Sequence, residues 1–343
     1  MYMSPALLST GLLARTARED SSHQNSCSPA AAALRRESST ERLLQAAVSC
    51  WVSRDYASLS DALLFAARSH APQHAEQLAS AHCPDNTRSL HSLGDDRCSC
   101  SLVDIGLNDG GTLLQWPKSA AAKLSRGDGR LSKSLLECVG SARTCYTGFE
   151  MQARYTARLR EQELAHRRKG GRIQLFTETA FAISADPVEA FVDPLDGGVG
   201  TSLVGDTRRT YRFQDERGRY HKFKSDDPLG SNTTLTSMPV SVQQRVARTV
   251  VAAVDAGAFL CEVAAQSDFV ALKLDVEAFE FTLLPHLILN HPAELARLSL
   301  LAAEWHEYSL VGARRQQVPV GAEKALAWLL KGPLFNITVL DWV

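Results

Sequence analysis

Apolar and polar positions along this chain follow two different periods, and segments with each period alternate. Short strand-like segments lie at 101–105, 144–150, 172–184, 269–274, 298–306 and 335–343. Several of them are mainly apolar, which is typical of strands buried on both faces of a parallel sheet. Apolar residues at helical spacing mark 112–140 with a break at 125–129, 151–168, 241–256, a segment from Glu280, and 322–330. This alternation predicts an α/β fold, a Rossmann-like three-layer α/β/α sandwich with a mostly parallel sheet.

The N-terminal part of the chain departs from this pattern. Residues 1–39 are dominated by Ser, Ala and Arg and sustain no apolar period, so we expect them to be disordered. From Thr40 onward apolar residues recur at helical spacing, and a polar stretch follows. Residues 40–96 are therefore predicted to form a helical extension and a linker, and residues 97–343 the Rossmann-like domain.

One segment of the predicted domain has the pattern of a β-hairpin insertion. It covers about residues 191–234, and its aromatic residues alternate on both sides of a turn-forming stretch: Tyr211, Phe213, Tyr220 and Phe223. Such an insertion is either a lid over a substrate or a plain surface hairpin.

The most informative stretch follows the first predicted strand. Asp104 lies at the end of the apolar run, and Gly106, Asn108 and Gly110 come shortly after it, before a helical segment. A glycine turn between a strand and a helix lets a ligand approach the backbone, because glycine adopts positive φ and has no Cβ. Asp104 and Asn108 add polar groups for a cofactor, although a tight turn without a ligand has the same pattern.

Glu150 ends the second predicted strand of the sheet. A carboxylate at this position of a Rossmann-like unit accepts hydrogen bonds from both hydroxyls of a ribose. Its separation from Asp104 is more than twice the roughly 20 residues usual in a dinucleotide-binding fold. Either the intervening helical segment is extended, or this pairing of strands is wrong.

Composition and charge exclude several classes of partner. The chain has 343 residues, of which 45% are hydrophobic and 22% charged, enough for a sizeable core. The formal net charge is −1 at pH 7, and the basic run 167–169 is short, so the charge pattern favours no nucleic-acid partner. No apolar stretch approaches the roughly 18 residues that a membrane span needs.

The eight cysteines show no regular spacing. We therefore expect no disulfide framework and, by default, a reducing, cytoplasmic compartment. The N-terminus matches neither a signal peptide nor a transit peptide well, so a targeting segment is left open. No metal site is predicted, because one group of neighbouring ligand-type residues lacks a paired C-x-x-C knuckle: His82, Cys83, His91, Cys98 and Cys100.

Five short motifs follow one another in an order that is typical of one enzyme family. They are VDIGLNDG, GFEMQARYTARL, TAFAIS, LKLDVEAFEFTLL and AAEWH. Over about residues 101–308 the chain resembles the FkbM-type methyltransferases, a branch of the class I S-adenosylmethionine-dependent family. It departs from the family at Ala278, where the family often has glycine, and in the length of its first helical segment.

The resemblance implies a cofactor, S-adenosylmethionine, and a set of residues that bind it. Those at its methionine end would be Asp104, Gly106, Asn108 and Gly110. Glu150 would hold the ribose hydroxyls, and the region around Ala182 would face the adenine.

The resemblance also implies three catalytic residues near the transferred methyl group: Asp275, Glu277 and His306. Asp275 and Glu277 follow a buried strand, at the edge where open α/β sheets bind ligands. For a hydroxyl acceptor, His306 has the pKa range of a general base, and either carboxylate could orient the acceptor or the imidazole. His306 could equally be a strand-end histidine bonded to the backbone.

The sequence thus predicts a methyltransferase that acts on an oxygen of a small molecule or a sugar. A nicotinamide-dependent oxidoreductase is the first alternative, disfavoured because G-x-N-x-G is not the G-x-G-x-x-G turn that binds a pyrophosphate. A catalytically silent Rossmann-like binding module is the second, suggested by Ala278. The acceptor and the oligomeric state are left open.

Overall fold

The structure is a computed structural model that describes residues 27–70, 97–192, 201–204, 209–214, 220–225, 247–307, 310 and 316–342. Its centre is a six-stranded sheet in which all neighbouring strands are parallel. Helices pack on both faces of this sheet, so the predicted three-layer α/β/α sandwich is confirmed.

The strands of the described residues have these bounds: β1 (Cys98–Ile105), β2 (Thr144–Glu150), β3 (Arg172–Thr177), β4 (Thr179–Ala182), β5 (Val188–Val192), β6 (Arg209–Gln214), β7 (Tyr220–Ser225), β8 (Ala247–Asp255), β9 (Ser267–Leu274), β10 (Leu300–Ala303) and β11 (Thr338–Asp341). The central sheet has the order β3-β2-β1-β9-β10-β11. This is the order of the doubly wound fold that binds dinucleotides, in which a crevice opens where the strand order reverses. Here the reversal lies between β1 and β9.

The α-helices have these bounds: α1 (Ser28–Arg36), α2 (Thr40–Ser53), α3 (Tyr56–His70), α4 (Trp116–Leu124), α5 (Gly129–Gly140), α6 (Thr156–Arg168), α7 (Ala256–Gln266), α8 (Glu280–Asn290), α9 (Pro292–Leu295) and α10 (Ala322–Lys331). The predicted break at 125–129 separates α4 from α5. Within the described part of the chain, none of these helices has both the length and the apolar character that a bilayer crossing requires.

Strand β1 shows why the apolar runs become central strands. Leu102 packs against one layer of helices, whereas Val103 and Ile105 pack against the other, and all three are almost completely buried. Successive side chains of a strand point to opposite faces, so a strand between two helical layers needs apolar residues at consecutive positions. The burial of β1 on both faces fits the sequence pattern.

The N-terminal helices extend the core on one face of the sheet. Helix α2 packs against α8 and α10 and begins after Ser39, whose side chain accepts a hydrogen bond from the Arg42 N–H at 3.3 Å. Helix α1 buries Ala31 and Leu34 in the same core. The predicted disorder of residues 1–39 is therefore wrong for Ser28–Arg36, because a short apolar face suffices once α2 and α3 cover it. Residues 1–26 and the linker 71–96 lie outside the described residues.

Strand β8 corrects a second prediction. The helix expected over 241–256 is wrong for Ala247–Asp255, which forms a strand between β4 and β5 in a separate three-stranded sheet. Val251 is 7% exposed and its neighbour Val250 is 71% exposed, which is the alternation of a strand. Valine is β-branched and fits a pleated strand better than a helix. Residues 241–246 lie outside the described residues.

The predicted hairpin is present in the backbone. Strands β6 and β7 pair antiparallel, with Tyr211 opposite Phe223. Its turn, 215–219, and other parts of the insertion lie outside the described residues. The strand predicted over 172–184 is divided at Glu178, where φ is 56°, into β3 of the central sheet and β4 of the three-stranded sheet.

All seven cysteines of the described residues are disulfide-bonded, which corrects the expectation of no disulfide framework. The pairs are Cys27–Cys50, Cys98–Cys145 and Cys100–Cys138, and Cys261 is also bonded. Partners separated by 23, 47 and 38 residues meet only because the fold brings them together, so their spacing gave no signal.

The disulfide between β1 and α5 should contribute measurably to stability. Cys100–Cys138 closes a loop of 38 residues, and such a cross-link typically stabilises a fold by about 2–4 kcal/mol. We expect the double variant Cys100→Ala/Cys138→Ala to lose about that much free energy of unfolding in urea without reductant. With dithiothreitol present, the difference from the wild type should shrink. A loss below about 1 kcal/mol without reductant would contradict the prediction.

Candidate functional site

A cleft opens at the carboxyl ends of β1, β2 and β9. Five of the nine predicted site residues line it: Gly106, Asn108, Glu150, Asp275 and Glu277. Phe149, Phe181 and Phe279 supply apolar surface beside them. An apolar cavity with a few polar groups at the reversal of strand order is the usual form of a small-molecule site in this class of fold.

The glycines after β1 make room for the chain itself. Gly106 has a φ of 88°, and a Cβ there would clash with the carbonyl oxygen of Asp275. Gly110 has a φ of 77°, and a Cβ there would clash with the side chain of Gln162. Gly106 thereby lets the turns after β1 and β9 approach each other, whereas the glycine pattern predicts that a ligand occupies this space. Gly110 does not line the cleft.

Glu150 joins the end of β2 to the turn after β1. Its Oε2 accepts the Asn108 N–H at 2.7 Å, and its Oε1 accepts the Gln152 N–H at 2.8 Å. The backbone N–H of Met151 also stabilises this carboxylate. A carboxylate has about four acceptor sites, so it can still accept a hydrogen bond from a ligand. Burial raises the pKa of Glu150 to about 7, because it outweighs the backbone hydrogen bonds that favour the charged form. The charge of this carboxyl group therefore changes near neutral pH.

Asp104 takes part in a buried ion pair instead of lining the cleft. It is 0% exposed, and its Oδ1 accepts a hydrogen bond at 3.0 Å from the Nζ of Lys273, which lies opposite it on β9 and is 2% exposed. The same Nζ lies 3.6 Å from Asp275 Oδ2. Burial by itself lowers the pKa of Lys273, but the charges of Asp104 and Asp275 outweigh it and raise the pKa. The lysine is thus charged at neutral pH.

His306 lies behind the carboxylates of the cleft. Its Nε2 is 4.0 Å from Asp275 Oδ1, 3.9 Å from Glu277 Oε2 and 3.7 Å from Glu304 Oε1. Its Nδ1 is 3.3 Å from Oε1 of Glu280, the first residue of α8. The same oxygen accepts the backbone N–H of His306 at 2.5 Å. Acidic side chains therefore face both nitrogens of the ring.

These carboxylates determine the protonation of His306. Burial lowers the pKa of the imidazole, but the hydrogen bond and charge of Glu280, with the charges of Glu277 and Asp275, raise it to about 9. In this arrangement the ring carries a proton at neutral pH. Burial and the charge of Asp275 also raise the pKa of Glu304.

Three of the predicted residues form a group that could hold a metal ion. Asp275, Glu277 and His306 each offer one ligand atom, and these atoms lie within 4.8 Å of one another. The sequence pattern predicts catalytic roles for these three residues and no metal site. In the group His82, Cys83, His91, Cys98 and Cys100, the two last cysteines cannot bind a metal ion, because both are in disulfides. The other three residues lie outside the described residues.

Ala182, expected to face the adenine, is 1% exposed on β4 and does not line the cleft, whereas its neighbour Phe181 does.

Three side chains of the site were not predicted from the sequence: Lys273, Glu280 and Glu304. Lys273 did leave a signal, because a single charge inside a buried apolar strand is costly unless it has a partner. The other two are placed by the fold alone.

No family model matches this chain, and no match was found among curated proteins or among solved structures.

Removal of one partner of the buried ion pair should strongly destabilise the fold, because the other charge is then left buried without its partner. We expect Asp104→Asn to cost about 3–5 kcal/mol in the free energy of unfolding, because it removes the charge opposite a buried lysine. Urea denaturation would measure this loss.

A matched control lies in the same turn. Asp109→Asn removes an ion pair with Arg158 whose side chains are 45% and 58% exposed, so it should cost less than about 1 kcal/mol. Equal losses in Asp104→Asn and Asp109→Asn would contradict the role assigned to the buried pair.

Proposed function

We propose that this protein is an S-adenosylmethionine-dependent methyltransferase that acts on an oxygen of a small molecule or a sugar. The observation that carries the proposal is Glu150, a buried carboxylate at the end of β2 in the same cleft as the Gly106 turn. A carboxylate in this position accepts hydrogen bonds from a ribose diol, which S-adenosylmethionine contains. The FkbM resemblance assigns the same role to this residue.

The turn after β1 favours this cofactor over a dinucleotide. Asp109 Oδ1 accepts the N–H of Gly111 at 2.9 Å, a backbone group that a pyrophosphate would need. The following helix, α4, begins at Trp116, and its second residue, Pro117, has no N–H to offer. S-adenosylmethionine carries no phosphate, so its binding does not need these backbone groups.

A nicotinamide-dependent oxidoreductase is the second candidate, and the strand order favours it. The order β3-β2-β1-β9-β10-β11 is that of the dinucleotide-binding fold, and Glu150 would serve the ribose of either cofactor. The cofactor that binds therefore decides between the two candidates.

In the proposed reaction the chain mainly aligns the acceptor and removes its proton. S-adenosylmethionine, when bound, would supply a methyl carbon attached to a sulfonium sulfur. Asp275 and Glu277 line the cleft, so they would orient an acceptor hydroxyl and one of them would take its proton. His306, whose Nε2 faces both carboxylates, would keep them oriented. Alignment of this kind supplies up to roughly 7–11 kcal/mol of the barrier reduction.

We also propose an oxidising compartment for this protein, in place of the cytoplasmic default. The support is that every cysteine of the described residues is disulfide-bonded. Such bonds persist outside the reducing cytosol.

Calorimetric titration of the full chain with S-adenosylhomocysteine tests the proposed function. We expect saturable binding with one ligand per chain and no binding of NAD. Glu150→Gln should weaken binding at least about tenfold, because it replaces charge-assisted hydrogen bonds worth about 1.5–3 kcal/mol. The exposed variant Glu161→Gln on α6 should bind like the wild type.

The result also decides between the candidate functions. NAD binding without S-adenosylhomocysteine binding would replace the methyltransferase by the oxidoreductase. Binding of S-adenosylhomocysteine without methyl transfer to any of a panel of hydroxyl acceptors would favour the silent binding module.

The affinity for S-adenosylhomocysteine should depend on pH through Glu150. The pKa of this group is about 7, so the carboxylate that accepts the ribose hydrogen bonds is lost as the pH falls through 7. We expect the affinity to fall about tenfold between pH 8 and pH 6, and Glu150→Gln to remove most of this dependence. A wild-type affinity that is constant over this range would contradict the assignment.

A further inference from the structure

The atoms around His306 Nε2 have separations that suit a shared cation. Asp275 Oδ1 and Glu277 Oε2 lie 4.0 and 3.9 Å from this nitrogen, beyond the roughly 2.7–3.2 Å of a hydrogen bond. Two ligand atoms about 2.1 Å from one ion lie at most about 4.2 Å apart, so both separations fall within this limit. All three atoms lie within 4.8 Å of one another, and a small side-chain rotation would bring them to one ion.

The second ring nitrogen of His306, Nδ1, provides an independent observation. A metal-binding histidine usually donates its second ring N–H to a carboxylate, which fixes the orientation of the ring toward the ion. Glu280, outside the three-residue group, is 0% exposed, and its Oε1 lies 3.3 Å from His306 Nδ1. Its Oε2 is buried and accepts no hydrogen bond from the residues that the structure describes. The 3.3 Å separation places Glu280 beside Nδ1, on the side of the ring away from Nε2.

The balance of charge also favours a cation at this position. Two basic side chains of the described residues, Lys273 and His306, face five carboxyl groups around the site. The carboxyl groups are those of Asp104, Asp275, Glu277, Glu280 and Glu304. Lys273 is committed to Asp104 through the 3.0 Å hydrogen bond. Glu277 and Glu304 lie on the side of His306, 3.9 and 3.7 Å from its Nε2.

The geometry points to a site for one divalent transition-metal ion of the Mn²⁺ or Zn²⁺ class, bound by Asp275, Glu277 and His306, with the ion displacing the proton on His306 Nε2 into solvent. A set of two carboxylate oxygens and one imidazole nitrogen suits these ions, whereas Mg²⁺ and Ca²⁺ prefer oxygen ligands throughout. Three protein ligands leave coordination positions open, as in catalytic metal sites. Asp275 and Glu277 line the cleft, so the open positions face its interior.

If the protein is a methyltransferase as proposed, this metal site would also restrict the chemical class of the methyl acceptor. A hydroxyl oxygen of the acceptor bound at an open position would lose its proton more readily, because the ion stabilises the alkoxide. The acceptor would then be a hydroxyl compound that reaches the ion through its oxygen. Its proton would go to the carboxylate oxygen of Asp275 or Glu277 that the ion does not bind, as in the proposed reaction.

Binding of Mn²⁺ to the full chain tests the site without any cofactor or acceptor. After treatment with a chelator and its removal, Mn²⁺ is added and the electron paramagnetic resonance signal of the free ion is recorded. We expect one bound ion per chain, displaced by Zn²⁺. Glu277→Gln should weaken Mn²⁺ binding at least about tenfold. Glu280→Gln should weaken it about 10–100-fold, although the side-chain oxygen of the new glutamine can still accept the backbone N–H of His306.

The exposed variant Glu161→Gln serves as the matched control and should bind Mn²⁺ like the wild type. Thermal unfolding would verify that each variant is folded. Failure to bind either ion at about 1 mM, or equal binding by the wild type and Glu277→Gln, would overturn the inference. S-adenosylhomocysteine is titrated separately from the metal. If it binds and Mn²⁺ does not, only the metal site is contradicted. If Mn²⁺ binds and S-adenosylhomocysteine does not, only the proposed function is contradicted.

Discussion

The buried contact between Lys273 and Asp104 is the interaction on which the centre of the sheet depends. Burying two ions costs several kcal/mol for each, and the 3.0 Å hydrogen bond and a further contact from Thr112 to Asp104 offset that cost. The pair joins β1 to β9 at the reversal of strand order. It thereby fixes the distance between the two turns that border the cleft, and Gly106 can lie against the carbonyl of Asp275.

Much of the fold could be predicted because a parallel strand between two helical layers leaves a distinct pattern. The run at 144–150 is buried along its whole length and coincides with β2. The valines of 241–256 gave a weaker signal, since the same spacing fits one face of a helix and the two faces of a strand. Only the pairing of β8 with β4 and β5 decides between these, and pairing is a property of the tertiary structure.

The site could be predicted where position along a strand determines which residues meet. Glu150, Asp275 and Glu277 follow apolar strands, and the carboxyl ends of parallel strands share one edge of the sheet, so all three line the cleft. The direction of a side chain is not determined in this way. Asp104 points into the protein toward Lys273, and Glu280, which the sequence places at the start of a helix, reaches His306 from α8.

The disulfides of β1 lie at the end of the strand opposite the cleft. Cys98 and Cys100 are near its amino end, about 20 Å along the strand from Ile105, which lines the cleft. One end of the sheet is therefore covalently anchored, and the other is maintained by weaker, exchangeable contacts. Changes in the length or sequence of the loops at the carboxyl edge would therefore leave the strands in register, because the opposite end of the sheet is covalently anchored.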